Sequence, residues 1–109
     1  MKGTLLIDTS ESDRIRVGLR REGKDVWIEE PMTREKAQRV LPLIEDLLKT
    51  QQLSLLDIKE IKVNTGPGSF TGLRVGLAIA NMLGTILHVP INGSPPGHVQ
   101  PRYSPSKLD

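Results

Sequence analysis

The chain has no cysteine, two histidines and three aromatic residues (Trp27, Phe70 and Tyr103) among its 109 residues. Without cysteine there is no disulfide framework, thiolate metal site or cysteine nucleophile. The same absence fits a reducing compartment such as the cytoplasm. With so few aromatics there is no platform on which successive bases stack. A net charge of +2 is also far from the surplus of a dedicated nucleic-acid binder. Direct, sequence-specific reading of RNA or DNA is not expected. His88 and His98 lack a second histidine at helical spacing, so no metal site is expected. No serine sits in a G-x-S-x-G elbow, and nothing assembles a nucleophile, a base and an oxyanion site. Long hydrophobic runs are missing too. Leu5-Leu6-Ile7 is too short for a signal-peptide core. The longest apolar stretch, Val75 to Leu87, spans about 20 Å as a helix against about 30 Å of hydrocarbon. No membrane partner is expected.

A chain of this length forms one domain with its own core. Leu5 to Ile7 reads as a strand covered on both faces, ending in the turn-forming Asp8-Thr9-Ser10. From Arg14 the pattern alternates, with Ile15, Val17 and Leu19 on one face, and it resumes with Val26 and Ile28 beyond Glu22-Gly23. A two-residue loop there sets Leu19 opposite Val26, Val17 opposite Ile28, Arg20 opposite Asp25, Arg16 opposite Glu29 and Trp27 over Gly18. Each pair is favourable, and a slip of one residue destroys them all. Thr33 can cap a helix whose stripe is Ala37, Val40, Leu41, Ile44, Leu47 and Leu48, with Pro42 inside it and Leu43 off it. A capped turn at Ser54–Asp57, a strand at Ile58–Val63, a second helix to Leu87 and a short strand at Val89–Ile91 follow. Together these predict an α/β fold. Its mixed sheet has five strands in the order 3-2-1-4-5, an antiparallel meander plus two parallel strands. Right-handed crossovers place both main helices on one face. Residues 1–94 form the domain. Residues 95–109 are a proline-rich tail, expected to be disordered or draped over the second helix.

Two features invite a functional reading. The second helix is apolar nearly all round and carries a ridge of small residues, Gly72, Gly76, Ala80 and Gly84. A helix of this kind needs cover on every side, so its outer face is expected to meet a partner, or else the folded-back tail. The loop Gly66–Gly72 joins a strand to a helix, as phosphate-binding loops do. It lacks the Walker lysine, and Thr71 stands where a dinucleotide fingerprint needs glycine. A tight turn with Ser69 or Thr71 as helix cap is the plainer reading.

The segment GPGSFTGLRVG at 66–76, with LLIDTS at 5–10 and RVLPLIEDLL at 39–48, resembles the TsaB (YeaZ) family over residues 3–94. The chain departs from that family at Lys36, where a histidine is usual, and it stops at Asp109 before the family's second domain. The resemblance implies half of an actin/sugar-kinase/Hsp70-like fold. It also implies a non-catalytic scaffold subunit of the machinery that makes threonylcarbamoyladenosine in tRNA. Such a subunit pairs with a TsaD-like catalytic subunit through its two helices, here at Leu41, Ile44, Leu48, Leu73, Leu77, Ala80 and Gly84. Nucleotide in this architecture lies between two domains. Asp8, Thr9 and Gly68 would be one jaw of that site, with no cofactor held by the chain alone and Mg-ATP expected only in a complex. Peptidase chemistry, which older names in the superfamily suggest, has no support in these residues. The alternatives are a small nucleotide- or phosphate-binding module using Gly66–Gly72, and a homodimer that buries the second helix against its own copy.

Overall fold

The fold was obtained as a computed structural model, which describes residues 2–31 and 36–102. Strands β1 (Gly3–Asp8), β2 (Arg14–Arg21) and β3 (Lys24–Pro31) precede helix α1 (Lys36–Thr50). After one 3-10 turn at Leu55–Asp57 come strand β4 (Ile58–Val63) and helix α2 (Phe70–Leu87). The sheet order is β3-β2-β1-β4, antiparallel except for the parallel pair β1–β4. The hairpin takes the expected register, with Leu19 opposite Val26, Val17 opposite Ile28 and Trp27 opposite Gly18. Glu22 and Gly23, at φ 53° and 77°, form the turn, both residues in the left-handed region that matches the twist of a tight hairpin.

Among the described residues four strands form where five were expected. At the fifth position only Ile91 pairs, in parallel sense, with Ile61. The Ile61 N–H donates to Pro90 O at 3.0 Å, and the Asn92 N–H donates to Ile61 O at 2.9 Å. Pairing stops there because Asn92 turns left-handed, at φ 50°, a conformation asparagine tolerates better than most residues. Its amide then serves the next peptide of β4. Val63 N–H donates to Asn92 Oδ1 at 2.9 Å, and Asn92 Nδ2 donates to Val63 O at 3.0 Å. A side chain thus closes an edge that a longer strand would have closed.

The core lies between one face of the sheet and the two helices. Leu5, Ile7, Val17, Leu19, Ile61 and Val63 meet Val40, Ile44 and Leu47 of α1 and Ala80 and Leu83 of α2. Leu43, expected off the stripe, is buried as well, because α1 touches α2 as well as the sheet. Val26, expected on the buried side, is 40% exposed. It lies on the edge strand β3, beside a shallow cavity of about 350 Å³ that Leu19 and Gln51 also line. The helix cap expected at Thr33 and the Glu35–Arg39 pair involve residues outside those described; Arg39 instead holds Glu30 with two bonds of 2.8 and 2.9 Å.

On the other face of the sheet the Trp27 ring lies over Gly18, within 2.8 Å of where a Cβ would stand. The Arg16 guanidinium sits 4.4 Å from the ring centre. Helix α2 is longer than the apolar stretch that marked it. Its 18 residues span about 27 Å, so length does not exclude a membrane span. Leu73, Gly76, Ala80, Leu83 and Gly84 line the side of the helix turned into the protein.

If the Asn92 amide closes the β4 edge, Asn92→Ala should cost about 1–3 kcal/mol by urea denaturation. It should also speed amide exchange at Val63 far more than at Leu5.

Candidate functional site

The two loops singled out in the sequence meet at one end of the sheet, where they hold each other. Asp8 closes an Asx turn: its Oδ1 accepts from Ser10 N–H at 3.0 Å and from Ser10 Oγ at 2.7 Å. Asn64 Nδ2 donates to Ser10 Oγ at 3.3 Å. The Ser69 N–H donates to Ser10 O at 2.9 Å, which stitches the loop after β4 to the loop after β1. Gly68 passes so close that a Cβ there would stand 2.7 Å from Ser10 O and 2.8 Å from Ser10 Cβ. Ser69 caps α2, its Oγ accepting from Gly72 N–H at 3.0 Å.

Thr9 is fully buried and its hydroxyl donates to Gly72 O. A Cβ on Gly76 would collide with that hydroxyl oxygen. The glycine at 76 is therefore a condition for seating α2 on the end of β1. Farther along the helix, a Cβ on Gly84 would stand 2.8 Å from Ile91 Cδ1. The small-residue ridge faces the sheet and the end of the chain, not solvent.

Burial pushes the Asp8 carboxyl up. The hydrogen bonds from Ser10 and Asn64, with Arg16 nearby, outweigh it and hold the group below the usual carboxylate range. Arg16 stands 3.8 Å from Asp8 Oδ2, on the side away from the Ser10 bonds. Asp8, Thr9 and Gly68 thus lie at one corner of the fold, Asp8 Oδ1 bonded to Ser10, the Thr9 hydroxyl to Gly72 and Gly68 packed against Ser10. A cavity of about 370 Å³ opens on the outer sheet face among Leu6, Asp8, Trp27, Lys62 and Asn64.

The seven residues expected at a helical contact are placed less simply. Ile44, Leu48, Leu73, Ala80 and Gly84 are buried within the chain. Leu41 and Leu77 are half-buried against the core. The outward side of α2 consists of Thr71, Arg74, Ala78, Met82, Thr85 and Ile86, with Met82 40% and Ile86 64% exposed. Between that side and α1 runs a groove of about 370 Å³ lined by Ala37, Phe70, Val75, Ala78 and Ile79. These outward residues were missed because the ridge and the strip alternate on an all-apolar helix. Only the position of the sheet tells one side from the other.

A family model described as TsaD, tRNA N6-adenosine threonylcarbamoyltransferase, matches residues 30–94. The tRNA threonylcarbamoyladenosine biosynthesis protein TsaB of Escherichia coli is 45% identical over 60 residues, 55% of this chain and 26% of that protein. TsaB of Haemophilus influenzae is 36% identical over 87 residues, 80% of this chain and 36% of that protein. Among solved structures, YeaZ from Pseudomonas aeruginosa superposes with a TM-score of 0.76 at 34% identity, covering 84% of this chain and 42% of that one. The chain spans less than half the length of these relatives.

Two measurements probe the junction. Gly76→Ala should destabilise the fold by about 1–3 kcal/mol, and Thr9→Ala in the same chain should recover part of that loss by removing the colliding oxygen. A lowered carboxylate adds stability that is present above its unfolded pKa and is lost as pH falls through the folded value. Asp8→Asn should therefore cost about 1–2 kcal/mol at neutral pH, and this difference from the parent should vanish in acid. An equal cost at every pH would contradict the role given to the charge.

Proposed function

Because the chain belongs to the TsaB/YeaZ family, whose curated members are named as tRNA threonylcarbamoyladenosine biosynthesis proteins, we propose that it serves that machinery as a partner subunit. In this reading it is cytoplasmic and non-catalytic, and it pairs with a TsaD-like catalytic subunit. The fold is then one half of an actin/sugar-kinase/Hsp70-like architecture, and the reacting groups belong to the other protein.

The outward strip of α2 carries the proposal. Ala78, Met82 and Ile86 offer exposed apolar surface along one side of a helix, beside the groove lined by Val75, Ile79 and Ala37. A second helix laid there would bury the strip by ordinary ridge-and-groove packing. Leu41, half-buried on α1, extends the surface. Ile44, Leu48 and Ala80 support it from below, as packing that holds the two helices in place. Nucleotide binding by this chain alone is the weaker reading, since Asp8, Thr9 and Gly68 are engaged with Ser10, Gly72 and Arg16. Mg-ATP belongs to the complex, if to any form.

Size-exclusion chromatography with light scattering, with and without a TsaD-like catalytic subunit, tests the pairing. The two proteins should co-elute at micromolar concentration. Met82→Glu should weaken binding by about tenfold or more while leaving the melting temperature nearly unchanged. Ala80→Glu should instead unfold the chain, because Ala80 is fully buried. If Met82→Glu pairs as well as the parent, the docking face is wrong. A dimeric mass for the chain alone would give the strip to a second copy.

A further inference from the structure

Helix α2 carries a single charged residue, Arg74. It heads the outward row Arg74, Ala78, Met82 and Ile86, which repeats at helical spacing. Arg74 is exposed, and it lines the groove between α1 and α2 together with Ala37 and Val75. Its guanidinium lies 5.2 Å from the centre of the Phe70 ring, a cation–π contact that restrains the head group near the start of the helix. The other arginines among the described residues are used inside the chain. Arg14 and Arg16 hold Glu29 and Asp8, Arg20 holds Asp25, and Arg39 holds Glu30. Arg21 donates to Gln51, and Arg102 to the Gly66 carbonyl. Arg74 alone among them has neither a carboxylate nor a hydrogen-bond acceptor among the described residues. A ring face takes none of the N–H donors in the guanidinium plane, so these remain for water or for another molecule.

This position constrains whatever covers the groove. A helix laid along Ala78, Met82 and Ile86 passes over or beside Arg74, because all four share one side of α2. Covered without a counter-charge, the guanidinium would lose its hydration with no compensating bond, and an unpaired buried charge is strongly unfavourable. Covered by a carboxylate, it forms a charge-assisted, bidentate pair that fixes register as well as sign. The apolar residues of the row cannot do this, since hydrophobic burial has no direction. A second copy of this chain laid α2 against α2 would not supply the group either, as α2 contains no acidic residue.

We infer that Arg74 is the selecting residue of this surface: the helix of the partner subunit that covers the α1–α2 groove is apolar and carries a carboxylate, from aspartate or glutamate, set opposite Arg74. This rests on the reading of the outward side of α2 as the docking face. The apolar row supplies area. Arg74 discriminates against partners that lack an acid at that place, and against self-association of α2 with α2.

The test compares the parent chain with Arg74→Lys, Arg74→Met and Arg74→Glu, measuring melting temperature and the affinity for a TsaD-like catalytic subunit at low and high salt. All four should melt alike, because Arg74 is exposed and holds no carboxylate in the free chain. Arg74→Met keeps an apolar stem and should bind about tenfold weaker, and Arg74→Glu about a hundredfold weaker. Arg74→Lys keeps the charge but not the planar fork, so it should fall between the parent and Arg74→Met. Rising salt should weaken the parent more steeply than Arg74→Met. Equal affinities for the parent, Arg74→Met and Arg74→Glu overturn the inference, and if Met82→Glu still weakens binding in the same assay the pairing reading survives that failure. Variants that bind weakly only because they melt earlier overturn it too, since the residue would then be structural. A dimer of the chain alone that Arg74→Glu disrupts would assign the carboxylate to a second copy and overturn the choice of partner. If no form binds the catalytic subunit, the pairing reading and the inference fall together.

Discussion

The approach of α2 to the end of β1 is the contact on which the rest of the arrangement turns. Thr9 is buried there, its hydroxyl bonded to the Gly72 carbonyl, and Gly76 lets the helix come down onto it. Because the helix is apolar on nearly every side, hydrophobicity does not choose its rotation. Sterics do. The positions that lack bulk must face the sheet, so Gly76, Ala80 and Gly84 turn inward and Ala78, Met82 and Ile86 turn outward. One glycine thus sets which side of α2 faces outward.

The same contact engages two loops whose residue types resemble those of a ligand site. A strand followed by a short polar turn, and a glycine-rich loop opening a helix, are ingredients of phosphate binding. Here the two loops serve each other's polar groups. Asp8 takes the Ser10 donors, Ser10 O takes the Ser69 N–H, and Arg16 stands on the remaining side of the carboxylate. What remains is a rigid corner that fixes the angle of α2, a structural use of residues whose types suggest chemistry.

Much of this was legible in the sequence where one physical term dominates. The hairpin register followed from charge and size complementarity at five pairs, and every one of them is present. The order of the first four strands followed from the antiparallel meander and one helical crossover. Legibility ended where a decision depended on the third dimension. The fifth strand is cut short by a left-handed Asn92 whose amide completes the β4 edge, a local choice invisible to hydrophobic patterning. Leu43 is buried because α1 has a second neighbour, and Val26 is exposed because it lies on the edge strand. For the interface, the ridge of small residues was visible, but which way it points was not. Five of the seven residues expected at the helical contact, Ile44, Leu48, Leu73, Ala80 and Gly84, are buried within the chain. The outward strip reads in sequence as nothing more than the other half of an apolar helix.

In the proposed pairing, the outward side of α2 is the surface that another subunit covers. Methyl-resolved NMR of the chain, titrated with a TsaD-like catalytic subunit, addresses it residue by residue. The account predicts shifts or broadening at Ala78, Met82 and Ile86, with Leu5 and Ile61 in the core left in place. A spectrum that stays unchanged, or that changes only at Leu6 on the opposite face of the sheet, would contradict it.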